Sequence, residues 1–217
     1  MQHIFDIKKT QLELARDRGY DITDEAAILN MSLNDFVNYI SRAINQPGGI
    51  RNMLSHIYKS REEYGGDRRR LVVFYGERTN PQQKQISIDI VRTFISIIQN
   101  YSASEAIFIV DAPLSSDGNL ALSAVKLVKW QVFNESELTY NPTTHVDTPR
   151  HELLSEEEKI AKLREMRVDV SKLLLIKSTD PVVRYYGWTP GGIVRIHRDD
   201  SSISILAPKS INYRVIV

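Results

Sequence analysis

Three short apolar runs, Leu71–Tyr75, Ala106–Val110 and Trp130–Phe133, stand in the middle of the chain with helical periodicity between them. Ile86, Ile90, Phe94, Ile97 and Ile98 fall on one helical face between the first two runs, within a helix expected over Gln83–Asn100. Leu120–Val128 returns to the same period before the third run. Strand, helix, strand, helix, strand is the order of βαβ units, whose helical crossovers bring the chain back to the same end of a parallel or mixed sheet. The residues before this core supply helices to cover one side. Ile4–Arg18 has helical spacing with Gly19 as a stop, and Ser32 with Asp35 at the third position opens a second helix. That helix carries Phe36, Tyr39, Ile40 and Ala43 on one face, and Pro47–Gly49 closes it. The charged stretch Lys59–Arg70 reads as a connection into the first strand.

Tyr140–Pro149, with its two prolines and several turn formers, marks a boundary. It divides the chain into a domain over residues 1–142, a linker over 143–149 and a smaller domain over 150–217. In the smaller domain Ser155 and Glu158 form a capping box, and Asp180–Pro181 pairs an N-cap with proline at the first helical position, closed by Gly187. Gly192–His197 and Asn212–Val217 alternate in β fashion, so short helices are expected on a small sheet. The fold class is α/β (α+β).

A chain of 217 residues with 42% hydrophobic and 25% charged residues has the means to bury a core. The lack of cysteine removes disulfide frameworks, thiolate zinc sites and a cysteine nucleophile together. No stretch approaches the ~20 apolar residues of a membrane span, and the opening MQHIFDIKKT lacks the apolar run of a signal peptide, so a soluble intracellular protein is expected. Residues 1–147 hold 16 Lys/Arg against 18 Asp/Glu, a balance of −2, and residues 148–217 hold 12 against 9, a balance of +3. Neither half has the field of a protein that holds DNA unaided, so any DNA contact is auxiliary.

Chemistry-bearing motifs are scarce. His3, His56, His145, His151 and His197 show neither the spacing of a helical zinc site nor an HExxH arrangement. No GxxxxGK[ST] or GxGxxG is present, and the Gly pairs at 48–49, 65–66 and 191–192 read as turns. Asp111 follows the second strand, where a nuclease of βαβ design would hold Mg²⁺. Such an enzyme also needs a strand with a carboxylate two residues before a lysine. Glu157–Lys159 has that spacing but sits in a capped helix of the other domain, and Asp6–Lys8 falls in the helical Ile4–Arg18 segment, so Asp111 reads as a loop acid. There is no GxSxG, and no cofactor is expected.

Several segments carry a resemblance. His151–Lys159, Leu173–Gly187, Gly192–Ile196 and Asn212–Val215 occur in the order, and with the motifs, of a family of RNA polymerase subunits. Its members are the short H-type subunit of archaeal RNA polymerase and the eukaryotic counterpart, the fifth subunit shared by nuclear RNA polymerases I, II and III. More weakly, Arg16–Tyr20, Ile22, Leu33–Phe36, Ala121–Val128 and Phe133–Glu135 resemble the extra N-terminal domain of the eukaryotic form. The resemblance implies a jaw domain with a truncated, nuclease-like three-layer fold that lacks catalytic residues, and a C-terminal assembly domain that docks on the largest subunit. It also implies a jaw near the downstream DNA duplex, a nuclear location and a protein that is not itself an enzyme. Trp188–Gly191 replaces a usually basic turn, and Asp199–Lys209 replaces and lengthens a Ser/Thr-rich loop. These departures suggest a divergent source, a protist or a large DNA virus; a viral source would place the protein in the particle or the host cytoplasm.

On this reading Asp180, Pro181, Arg184, Tyr185, Tyr186, Gly187 and Arg195 are the candidates for contact with the partner subunit. Helix capping and core filling are the plain alternative. Arg68, Arg69 and Arg70, with Lys126 and Lys129, are the candidates for the DNA side, against the alternative of a solvated loop leading into a strand. Two other readings stay open: a Mg²⁺-dependent nuclease-like enzyme using Asp111, and a free-standing adaptor that binds the polymerase.

Overall fold

The computed structural model describes residues 1–42, 49–64, 67–198 and 210–217. Ala43, the Pro47–Gly48 turn, the Gly65–Gly66 pair and the Asp199–Lys209 loop of the sequence reading lie outside the described residues. The chain divides into two compact units, Met1–Tyr140 and Asn141–Val217.

In the first unit, strands β1 (His56–Tyr64), β2 (Asp67–Gly76), β3 (Glu105–Val110) and β4 (Lys129–Asn134) lie side by side in that order. β1 pairs antiparallel with β2, whereas β2–β3 and β3–β4 are parallel, as helical crossovers require. Side-chain alternation separates two faces. Val72, Ala106, Phe108 and Val110 join Val91, Phe94 and Ile98 of α4 (Ile88–Asn100) and Leu122 of α5 (Ser116–Ser123) in one buried cluster. The alternate residues Leu71, Val73, Tyr75, Ile107, Ile109 and Phe133 are buried on the other face. There Gln11 of α1 (Gln2–Asp17) meets Tyr58 and Tyr75, and α2 (Leu33–Ser41) and α3 (Gly49–Leu54) complete the cover. Helices on both faces make a three-layer α/β/α unit, and β3 is accordingly buried at every position from Ala106 to Val110.

Three local expectations change. Lys59–Arg70 is not a connection but most of a hairpin: β1 ends and β2 begins inside it. Helix α4 starts at Ile88, because Ile86 is held extended by a parallel bridge to Leu114, with its N–H on Pro113 O at 2.9 Å. Helix α5 starts earlier than its apolar period suggests, because Ser115 Oγ accepts from Gly118 N (3.2 Å), and it ends at Ser123.

The second unit is a sheet in the order β5 (Arg150–Leu153), β7 (Ile193–Arg198), β8 (Ser210–Ile216), β6 (Leu174–Ile176). Only the β6–β8 pair is parallel. Both sides of this sheet are covered. Val194, Ile196 and Ile216 pack with Val183 of α7 (Pro181–Tyr186) and with Trp188. Ile193 and Val215 pack with Leu163 of α6 (Glu156–Met166) and with Val168 and Val170 after it. α6 and α7 therefore lie on opposite faces. The Ser155–Glu158 capping box and the Asp180 cap form as the sequence indicates.

Candidate functional site

Helix α7 is short, so its ends determine its stability. Asp180 Oδ1 accepts from Val182 N (2.9 Å) and Val183 N (3.4 Å), and Pro181 fills the first helical position. Gly187, at φ 66°, closes the helix: its N–H bonds Arg184 O at 3.0 Å, and the next N–H bonds Val183 O at 3.0 Å. Val182, Val183 and Tyr185 point inward and are buried, and Tyr185 Oη accepts from Asn141 Nδ2 at 3.0 Å. Arg184 and Tyr186 are half-buried and Pro181 is exposed. The Tyr186 ring meets Tyr185 edge-on at 5.2 Å and stacks on Trp188 at 4.6 Å. Tyr186 and Trp188 form the aromatic wall of a 380 Å³ cleft whose other side is Thr148, Arg150 and His151.

Arg195 is not part of this group. It alternates with Val194 and Ile196 and so points to the α6 face, where it bonds Glu152 and Glu158, each at 3.3 Å. Glu152 also takes a 2.9 Å bond from His197. That bond, followed by the charges of Arg150, His197 and Arg195, holds the Glu152 carboxyl below its ordinary range. The structure thus brings Asp180, Pro181, Arg184, Tyr185, Tyr186 and Gly187 together and leaves Arg195 on the other side of the sheet.

Four of the five candidate basic residues of the first unit gather at one end of its sheet. Leu71, Glu105 and Lys129 are neighbours across β2, β3 and β4, so Arg68–Arg70 and Lys129 share the edge where the parallel strands begin. Arg70 bonds Tyr101 O at 2.8 Å. Lys129 and Arg18 both reach Glu105, at 3.3 and 3.6 Å. Arg68 and Arg69 are exposed within β2, and Lys126 is exposed between α5 and β4. Arg68–Arg70 and Lys129 thus stand on strand ends and not on a solvated loop, whereas Lys126 is on the loop before β4, and Glu105 offsets part of the charge.

The opposite edge, where the parallel strands end, is where α/β sheets usually bind ligands. Glu77, Asp111 and Glu135 follow β2, β3 and β4 there. Asp111 is bonded by Arg78 at 3.0 Å, Arg51 reaches Glu77 at 3.4 Å and Glu135 more closely, and His3 lies 3.5 Å from Glu135. Arg78 further bonds Pro81 O and Gln83 O. Among the described residues no group of three or more His, Cys, Asp or Glu could hold a metal ion. The sequence reading missed Glu135, although its place directly after a strand parallels that of Asp111.

No described helix is long and apolar enough to cross a membrane. The chain matches two family descriptions: RNA polymerase Rpb5, N-terminal domain, over residues 1–97, and RNA polymerase Rpb5, C-terminal domain, over residues 140–216. It is 27% identical over 220 residues to the DNA-directed RNA polymerases I, II, and III subunit of Dictyostelium discoideum, covering 100% of this chain and 98% of the relative. It is 26% identical over 201 residues to the DNA-directed RNA polymerase subunit 5-like protein 1 of Arabidopsis thaliana, covering 92% and 90%. A Caenorhabditis elegans subunit of polymerases I, II and III is 27% identical over 214 residues, covering 97% and 94%. The two ordered domain matches, spanning both structural units, place this chain in the RNA polymerase Rpb5 family.

Proposed function

We propose that this protein is a subunit of a multisubunit DNA-directed RNA polymerase in the nucleus, contributing assembly and positioning and no catalysis or cofactor of its own. Residues 150–217 are the assembly domain, which docks on the largest subunit; 143–149 are a linker; residues 1–142 are a jaw beside the downstream duplex. Arg68, Arg69, Arg70, Lys126 and Lys129 give the jaw a weak, sequence-independent hold on phosphates.

The observation that carries this reading is the distribution of exposed apolar surface. Among the described residues, Val146, Leu153, Ile160, Met166, Leu174, Leu175, Ile211 and Val217 are large, apolar and exposed in the smaller unit; the larger one exposes Met1, Tyr101, Leu120, Leu127 and Tyr140. A small domain has a marginal core and gains stability by burying such residues against a partner. α7 and the Tyr186–Trp188 wall stand ready on the same unit.

The test is purification of the tagged protein from its native cells at moderate salt, beside a tagged fragment 150–217. Both are expected to recover the two largest polymerase subunits in near-equal amounts. A full-length protein that purifies without them would overturn the reading in favour of a free-standing adaptor. Mg²⁺-dependent DNA cleavage that disappears with Asp111→Ala would overturn the non-catalytic part alone.

A further inference from the structure

On the face opposite α7, the second half of α6 and the turn after it enclose a groove of 420 Å³. Its floor is apolar: Ile160, Leu163, Val168 and Val170. Leu163, Val168 and Val170 pack inward on the sheet, but Ile160 is 49% exposed, and α6 has no fully buried residue. Arg164 and Arg167 stand on the rim, exposed, and neither side chain pairs with a carboxylate among the described residues. Other cations of α6 are already engaged, Lys159 by Glu156 and Lys162 by Glu165. Asp169 is the one acid on the rim, so the groove keeps a net positive charge.

The backbone adds a second observation. Arg167 holds the left-handed closing position of α6, φ 55° and ψ 41°, with the next N–H returning to Leu163 O at 3.2 Å. Glycine or asparagine occupies such a position at less cost, because a Cβ there crowds the following carbonyl. A guanidinium is thus kept at the lip of an apolar groove against the local backbone preference. Strain of this kind gathers where a ligand is clamped.

We propose that this groove docks a short segment of a partner protein in which acidic residues alternate with large apolar ones. The apolar side chains lie over Ile160 and Leu163, and the carboxylates pair with Arg164 and Arg167. Two guanidiniums over an apolar floor match that chemistry and repel a basic segment. The inference goes beyond the polymerase reading and stands whether or not α7 docks on the largest subunit.

A photo-reactive benzoylphenylalanine placed at position 160 of the tagged full-length chain in native cells, followed by mapping of the cross-linked peptide, tests it. The expected result is one partner peptide with at least two carboxylates beside aromatic or aliphatic residues. Its yield should fall about tenfold in R164E/R167E and return when the partner's acids are changed to lysine. Arg167→Gly should raise the thermal midpoint while lowering the cross-link yield, a combination that a purely structural arginine would not give. No cross-link, a basic or uncharged peptide, a yield indifferent to the arginines, or a cross-link to the chain's own residues 199–209 overturns the proposal. Recovery of the largest polymerase subunits, scored in the same purification, reports separately on the polymerase reading.

Discussion

Lys8 is completely buried, and its three ammonium protons are all directed: to Glu25 Oε2 at 2.9 Å, Leu54 O at 3.0 Å and Tyr58 Oη at 3.3 Å. Burial lowers the Lys8 pKa, and the Glu25 carboxylate opposes that shift. Removing one partner of such a pair strands the other, so Lys8→Ala should cost about 3–5 kcal/mol in urea denaturation, while Lys8→Met with Glu25→Gln should recover most of it. Equal losses in the two variants would mean that the ion pair is not what the site depends on. The phenols nearby set an alkaline limit. Burial first, and the Glu25 charge second, push Tyr58 and Tyr75 well above 10.0. Above pH 10.0 the unfolded phenols release protons that the folded ones keep, so their contribution is complete below that pH and is lost as pH rises further. Lys8 works in the other direction, adding stability as pH climbs toward 10.5. Denaturation midpoints should therefore fall steeply above pH 10.5, and less steeply in Tyr58→Phe/Tyr75→Phe; parallel curves would refute the assignment.

At the scale of elements, Gly76 at the end of β2 is the position where a side chain would press on both β3 and α4. A Cβ there would collide with the Phe108 ring and crowd Ile90 Cγ2 at 3.1 Å. Phe108 has little room to yield, because it stacks on Phe94 at 4.7 Å and meets Phe74 at 5.7 Å. Gly76→Ala should cost about 1–3 kcal/mol by overpacking, read as a lower thermal midpoint. An unchanged midpoint would show that the ring cluster can slide. Asp180→Ala should cost about 1 kcal/mol and Asp180→Asn little, since both Asp and Asn cap a helix while Ala cannot. Such caps were legible in the sequence because the chemistry of an N-terminus lies within a few residues. So were β3 and β4, apolar enough to be read directly. Strand β1 was not: its inward residues are Tyr58 and Ser60, its outward ones Lys59 and Arg61, and that alternation does not look like apolar against polar. β6, of three residues, is too short to show a period. Of the candidate site, the α7 group was readable from its caps. The separation of Arg195 was also present, in the apolar Val194 and Ile196 on either side of it, but its meaning depends on α6 and α7 taking opposite faces. The Lys8–Glu25–Tyr58 network joins residues 17 and 50 positions apart, and no local pattern announces it.

For the whole molecule, a shared basic edge on the first unit predicts a distributed and weak effect on DNA. Arg68→Glu with Arg69→Glu should lower the affinity of the purified complex for duplex DNA and flatten its dependence on salt, without changing which subunits co-purify. A sequence-dependent loss, or loss of the subunits themselves, would assign those arginines another role. The order of the smaller sheet has a consequence for how the protein is made. Strand β8 lies between β7 and β6, giving Val215 to one face and Ile216 to the other. During synthesis β5, β6 and β7 emerge before it, yet β6 has no strand neighbour until Ser210–Ile216 arrives, and until then the α6 cluster lacks Val215 and the α7 cluster lacks Ile216. The packing of both faces is therefore completed at the same late moment. A chain broken off before Ser210 would leave β6 unpaired and both apolar clusters incomplete.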